Sequence, residues 1–113
     1  MSIENIKLAS FAIVAMLMFS FVQAEEIVVA QSNNAFMLSG TRIETLTIKA
    51  GDSIKFLNED PWLHNIFSLS DLKAFDLGLY SKGQFRTVTF EKAGKIDIEC
   101  AIHPNLKLHL EVK

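Results

Sequence analysis

From residue 26 onward the chain alternates apolar and polar positions in short runs, the two-residue period of strands with one buried face. The pattern is clearest at 43–48 (IETLTI), 53–57 (SIKFL), 95–100 (KIDIEC) and 106–112 (LKLHLEV). Residues 84–90 (QFRTVTF) set Phe85, Val88 and Phe90 among β-branched threonines, and 26–30 (EIVVA) and 64–69 (HNIFSL) are shorter strand candidates. Polar or turn-forming residues separate them: a loop at 31–34 (QSNN), turns at Ala50-Gly51-Asp52 and Ala93-Gly94, and a break at 58–61 (NEDP). Residues 72–79 (LKAFDLGL) fit two periods, because Leu72, Phe75 and Leu79 share a helical face while Phe75, Leu77 and Leu79 share a strand face. We read them as a loop leading into a short strand. No amphipathic helix is long enough to compete. About seven to eight short strands with close turn signals predict an all-β domain, a Greek-key β-sandwich or barrel.

The apolar run at 8–22 (LASFAIVAMLMFSFV) has a different meaning. Lys7 precedes it, and Val22-Gln23-Ala24 closes it with small residues at alternate positions. A basic start, a short apolar stretch and a small-x-small end form the pattern of a secretory signal peptide, here with cleavage after Ala24. The rival reading is an uncleaved anchor, but a spanning helix needs about 20 apolar residues. The expectation is a signal peptide over 1–24 and one domain over 25–113, exported to the periplasm with no stable membrane span after cleavage. The net charge of −2 leaves no electrostatic footprint for nucleic acid.

Cysteine usage changes the picture most. The chain has one Cys, Cys100, whereas exported proteins usually pair their cysteines. A single thiol is an intermolecular bridge, a reactive group, a metal ligand or an inert buried side chain. Alternation puts Ile96, Ile98 and Cys100 on one face, and the segment Cys100-Ala101-Ile102-His103-Pro104-Asn105-Leu106 then turns into the last strand. A Cys and a His three residues apart across a tight loop can reach one ion. A second His is needed, and the candidates are His64 and His109. Leu108 and Leu110 flank His109 and take the inward face, so His109 points outward with Lys107, Glu111 and Lys113. His64, at the start of a strand, is the better partner, although a lone His there is more often structural. Two His and one Cys with a weak axial ligand is the blue-copper arrangement. One Cys suits it better than a structural zinc site, which shows four ligands.

Gly51-Asp52 before an alternating strand, then His64-Asn65-Ile66-Phe67, then Cys100-Ala101-Ile102-His103-Pro104 resembles the plastocyanin/amicyanin branch of the cupredoxins. Phe75-Asp76-Leu77-Gly78, taken with His64-Asn65, is similar to bacterial methylamine-utilisation-type cupredoxins. The resemblance implies one type 1 copper ion held by His64, Cys100 and His103. It implies that Asn65 hydrogen-bonds across to the cysteine loop. It places an axial methionine where this chain has Leu106, which cannot coordinate. Either the copper is three-coordinate, with a raised potential, or the site is degenerate; three intact strong ligands favour the former. The implied function is one-electron transfer to an unidentified redox protein (a dehydrogenase, cytochrome or oxidase) by a monomer that is not an enzyme. His103 would be the electron port, with Pro104, Leu106 and Trp62 as a docking patch; core packing is an equal reading for Trp62. The rival functions are a periplasmic copper chaperone, buffer or sensor, which a Met-rich or His-rich tract would favour, and a purely structural β domain. Convergence of the three donor atoms to roughly 3–4.5 Å separates the metal readings from the structural one.

Overall fold

A computed structural model describes residues 23–113 of the chain. The expected signal peptide falls almost entirely on residues 1–22, outside the described residues. Ten strands follow in chain order: β1 Glu26–Ser32, β2 Ala35–Leu38, β3 Thr41–Ile43, β4 Thr45–Ile48, β5 Ser53–Asn58, β6 His64–Ser68, β7 Phe75–Tyr80, β8 Phe85–Thr89, β9 Gly94–Glu99 and β10 Lys107–Val112. They form two five-stranded sheets, β3-β2-β1-β5-β8 and β4-β10-β9-β6-β7. β1 runs parallel to β5 and β4 parallel to β10, while the other pairs are antiparallel. The chain changes sheet repeatedly, as a Greek-key sandwich requires. No helix occurs among the described residues.

Strand alternation decides what enters the core. Leu108, Leu110 and Val112 of β10 are buried, while Lys107, His109 and Glu111 are exposed. Val29, Phe36, Ile54 and Phe56 of one sheet meet Ile66, Ile96, Ile98 and Leu108 of the other. Phe36 and Phe56 pack edge to face with ring centroids 6.1 Å apart. Each large side chain removed from water contributes about 1.5–3 kcal/mol, enough for the two sheets to hold each other.

The strand count exceeds the expected seven to eight for local reasons. Gln31 and Ser32 continue β1, so the expected loop at 31–34 shrinks to a turn at Asn33 and Asn34, which adopt φ of 53° and 55°. Asn tolerates this left-handed conformation, and two such residues turn a hairpin tightly. The returning strand β2 is short, and β3 and β4 divide the expected 43–48 run at Glu44. The ambiguous segment becomes β7, with an irregularity in its pairing to β6 between Asn65 and Phe67. There Leu77 and Gly78 oppose the single residue Ile66, and Gly78 has φ 71°. The extra residue is a β-bulge, and it shifts the side-chain period that makes 72–79 hard to read.

Two polar contacts fix the frame. Asp52 accepts hydrogen bonds from the Glu25 amide (Oδ1, 2.9 Å) and the Lys49 amide (Oδ2, 2.9 Å), tying the start of β1 to the β4–β5 turn. Arg86 on β8 donates to the carbonyls of Leu77 and Leu79 on β7, both at 3.2 Å, and its guanidinium carbon lies 5.0 Å from the Tyr80 ring centroid. It joins the edge strands of the two sheets.

Candidate metal centre

The centre forms where the loop before β6 meets the β9–β10 loop. Asn58, fully buried at the end of β5, organises the first loop. Its Nδ2 donates to the carbonyls of Trp62 (2.8 Å) and Tyr80 (3.0 Å), and its Oδ1 accepts from the Asp60 amide (2.8 Å). The chain therefore enters β6 on a fixed path, with His64 wholly buried. The β9–β10 loop is closed by Leu106 N donating to His103 O (2.9 Å) and Cys100 N donating to Leu106 O (3.3 Å). These turns bring Cys100 and His103 to the same side.

The three expected donors converge. Cys100 Sγ lies 3.7 Å from His64 Nδ1 and 4.0 Å from His103 Nδ1, and one donor atom from each residue lies within 4.8 Å of the others. Bonds of about 2.1 Å to nitrogen and 2.3 Å to sulfur, meeting near 120°, place N and S about 3.8 Å apart. Both sulfur–nitrogen separations match a shared ion better than direct contact. His64 and Cys100 are buried and His103 is half-buried. The imidazole rings lie 4.8 Å apart at 68°. A thiolate and two imidazoles are a donor set for a soft or borderline metal, and the residues fit one.

Asn65 links the two loops. Its Oδ1 accepts from the Ala101 amide at 2.7 Å, and its own amide points at Cys100 Sγ, 3.4 Å away. Leu106 is 1% exposed and offers no donor atom. That burial corrects one expectation: Leu106 adds nothing to a surface patch. Trp62 is 41% exposed, which rules out core packing; its indole N–H donates to Asn34 Oδ1 (2.7 Å) and its ring centroid lies 6.2 Å from that of His103. Ile102 and Leu63 are exposed in the same loops, as is Pro104. His109 is exposed and pairs with Asp97 (2.6 Å), apart from the three donors.

One residue of the site escapes the sequence pattern. Asp60 is 3% exposed, and its Oδ2 lies 2.7 Å from His64 Nε2. Burial works against its charge, but the His64 hydrogen bond and the Asn34 and Asn33 amides prevail and hold the carboxyl below its usual range. The polar string NEDP reads as an exposed break, and nothing in periodicity marks one member as buried. The available signal is spacing: a carboxylate four residues before a buried His. Tyr80 is also buried; burial, reinforced by the Cys100 thiol, raises its phenol well above the ordinary range, and it donates to Gln31 Oε1.

No protein-family model matches the sequence, and no curated protein matches it either. Solved structures do. A reduced tryptophan-to-tyrosine variant of amicyanin is 24% identical, with a TM-score of 0.69 over 81% of this chain and 86% of that one. A Cu(I) methionine-to-alanine variant of amicyanin is 24% identical, with a TM-score of 0.68 over 78% and 82%. An oxidized proline-to-alanine variant of amicyanin gives the same figures, 24%, 0.68, 78% and 82%. This chain has a cupredoxin-like fold, similar to that of amicyanin.

Proposed function

We propose that residues 25–113 form an exported type 1 copper protein that carries single electrons, with His64, Cys100 and His103 as the ligands of one copper ion. The observation that carries this reading is the presentation of both imidazole Nδ1 atoms to one thiol at 3.7 and 4.0 Å. The ion supplies a Cu(II)/Cu(I) couple. The chain supplies a frame that keeps its shape while charge changes: His64 is locked by burial, and Asn65 holds the cysteine loop to β6. Little movement of the ligands is needed, so little reorganisation opposes the transfer. Leu106 offers no donor atom, so a copper ion held by these three residues would lack an axial ligand there, which would favour Cu(I) and raise the potential.

His103 is the electron port, being the one half-buried ligand. Trp62, Ile102 and Pro104 surround it with exposed apolar surface, suited to the brief encounters of redox partners. The partner is a redox protein, and the chain acts as a carrier rather than an enzyme. Residues 1–24 serve export to the periplasm and are removed. Among the described residues no helix is long and apolar enough to cross a membrane.

The test is to add Cu(II) to purified residues 25–113, which contain all ten strands. An intense thiolate-to-copper band in the visible spectrum and narrow copper hyperfine splitting are expected, and Cys100→Ala abolishes both. A colourless protein whose copper affinity is unchanged by Cys100→Ala would refute the proposal.

A further inference from the structure

We propose that Asp60 is a positioning residue that sets the copper couple, its buried carboxylate fixing His64 and stabilising the oxidised site. This rests on the copper reading above. Three observations carry it. First, Asp60 Oδ2 engages His64 Nε2 at 2.7 Å, with side chains 4% and 0% exposed. The hydrogen on Nε2 is thereby assigned, and Nδ1, which faces the thiol, is left as the lone-pair nitrogen a metal needs.

Second, the remaining partners of Asp60 are donors. Oδ1 accepts from the Asn33 amide at 2.7 Å and Oδ2 from the Asn34 amide at 3.1 Å. These two amides come from the left-handed β1–β2 turn, so the hairpin tip is shaped around a carboxylate. Asn34 also receives the Trp62 indole through its side chain. An uncharged amide at position 60 cannot accept at both terminal atoms.

Third, among the described residues no Lys or Arg side chain is paired with Asp60, and His64 is its ion-pair partner. The ion behind His64 is then the counter-charge. A thiolate and a carboxylate balance Cu(II) to zero, whereas Cu(I) leaves the buried site with one negative charge. Uncompensated charge in a poorly solvated site is costly, so the carboxylate favours the oxidised state. That effect opposes the loss of the axial donor at Leu106. The potential would then be set by two residues acting in opposite directions, Leu106 by offering no donor atom and Asp60 through its hydrogen bond to His64.

The experiment compares Cu(I) and Cu(II) affinities of wild type, Asp60→Asn and Asp60→Glu in residues 25–113, with potentials and visible spectra recorded on the same samples. Asp60→Asn is expected to keep the thiolate band and to raise the Cu(I):Cu(II) affinity ratio at least tenfold, which is about 59 mV for one electron. Asp60→Glu, which restores the charge, is expected to recover most of that change. An unchanged or lowered ratio in Asp60→Asn overturns the proposal and leaves the copper site standing. A wild type with no thiolate band removes the copper reading, and the proposal with it. Proton NMR of Cu(I)-loaded wild type covers a variant that fails to fold. The His64 Nε2–H signal should be slow to exchange with solvent and strongly shifted by its carboxylate acceptor, and a freely exchanging or absent proton overturns the assignment.

Discussion

Asn65→Ala isolates the contact between the two halves of the site. The substitution removes the acceptor for the Ala101 amide, a 2.7 Å hydrogen bond across 36 residues of sequence, and leaves the Asn65 backbone beside Cys100 Sγ. Asn65 is 7% exposed, but Ala101 is exposed, so water can partly replace the lost partner. The cost therefore falls toward the lower part of the range for a broken hydrogen bond, about 1–1.5 kcal/mol. If the bond holds the cysteine loop in its ligating position, that energy appears in metal binding as roughly a tenfold loss of affinity, since about 1.4 kcal/mol is a factor of ten. The figure lies at the low edge of the 10–100-fold effects typical of groups that orient metal ligands. Competition for Cu(I) against a chromogenic chelator measures it, and urea unfolding of the metal-free protein gives the change in fold stability. A Cu(I) affinity within about twofold of wild type would refute the reasoning, and more sharply if metal-free stability fell by the full amount. The bond would then support the fold without supporting the site.

If position 106 is axial to the copper, Leu106→Met should lower the reduction potential, because a thioether would offer Cu(II) a weak donor that leucine lacks, and the swap conserves volume well enough to fold. Voltammetry reads it, and no change or a rise would show that position 106 is not axial. Asp52→Asn should flatten the acid limb of stability. The Glu25 and Lys49 amides lower the folded pKa of Asp52, so its contribution is present above the unfolded carboxylate pKa and is lost as pH falls through the lower folded value. Thermal unfolding between about pH 2 and 5 measures the slope, and an identical slope in the variant would contradict the assignment.

Much of this molecule follows from period alone, and the exceptions have physical causes. His109 is read as outward because Leu108 and Leu110 flank it in a strict two-residue alternation, and it is exposed. Cys100 and His103 are close in sequence, so one loop brings them together, whereas the convergence of His64 depends on a long-range pairing that alternation favours without fixing. β2 is a short run, AFML, too brief to show a period and hidden behind a turn built from two non-glycine residues. The bulge at Leu77-Gly78 breaks the period of β7 just where a helix and a strand look alike. Periodicity does not mark Asp60 because its burial is imposed from outside: Asn58 turns the loop inward and the Asn33-Asn34 turn covers it. Trp62 shows the converse, a large aromatic held outside by an indole hydrogen bond to that same turn.

The guanidinium that spans β8 and β7 has a consequence for how copies of this protein meet. β7 ends one sheet; its Leu79 is 54% exposed, and Phe85 at the start of β8 is 50% exposed. An apolar edge with free carbonyls is a template for a strand from another chain. Arg86 occupies the carbonyls of Leu77 and Leu79 and places a positive charge along the same edge. A second copy approaching there meets acceptors already filled and a charge it must desolvate. At this edge the Leu77 and Leu79 carbonyls are withheld from a strand of a second copy.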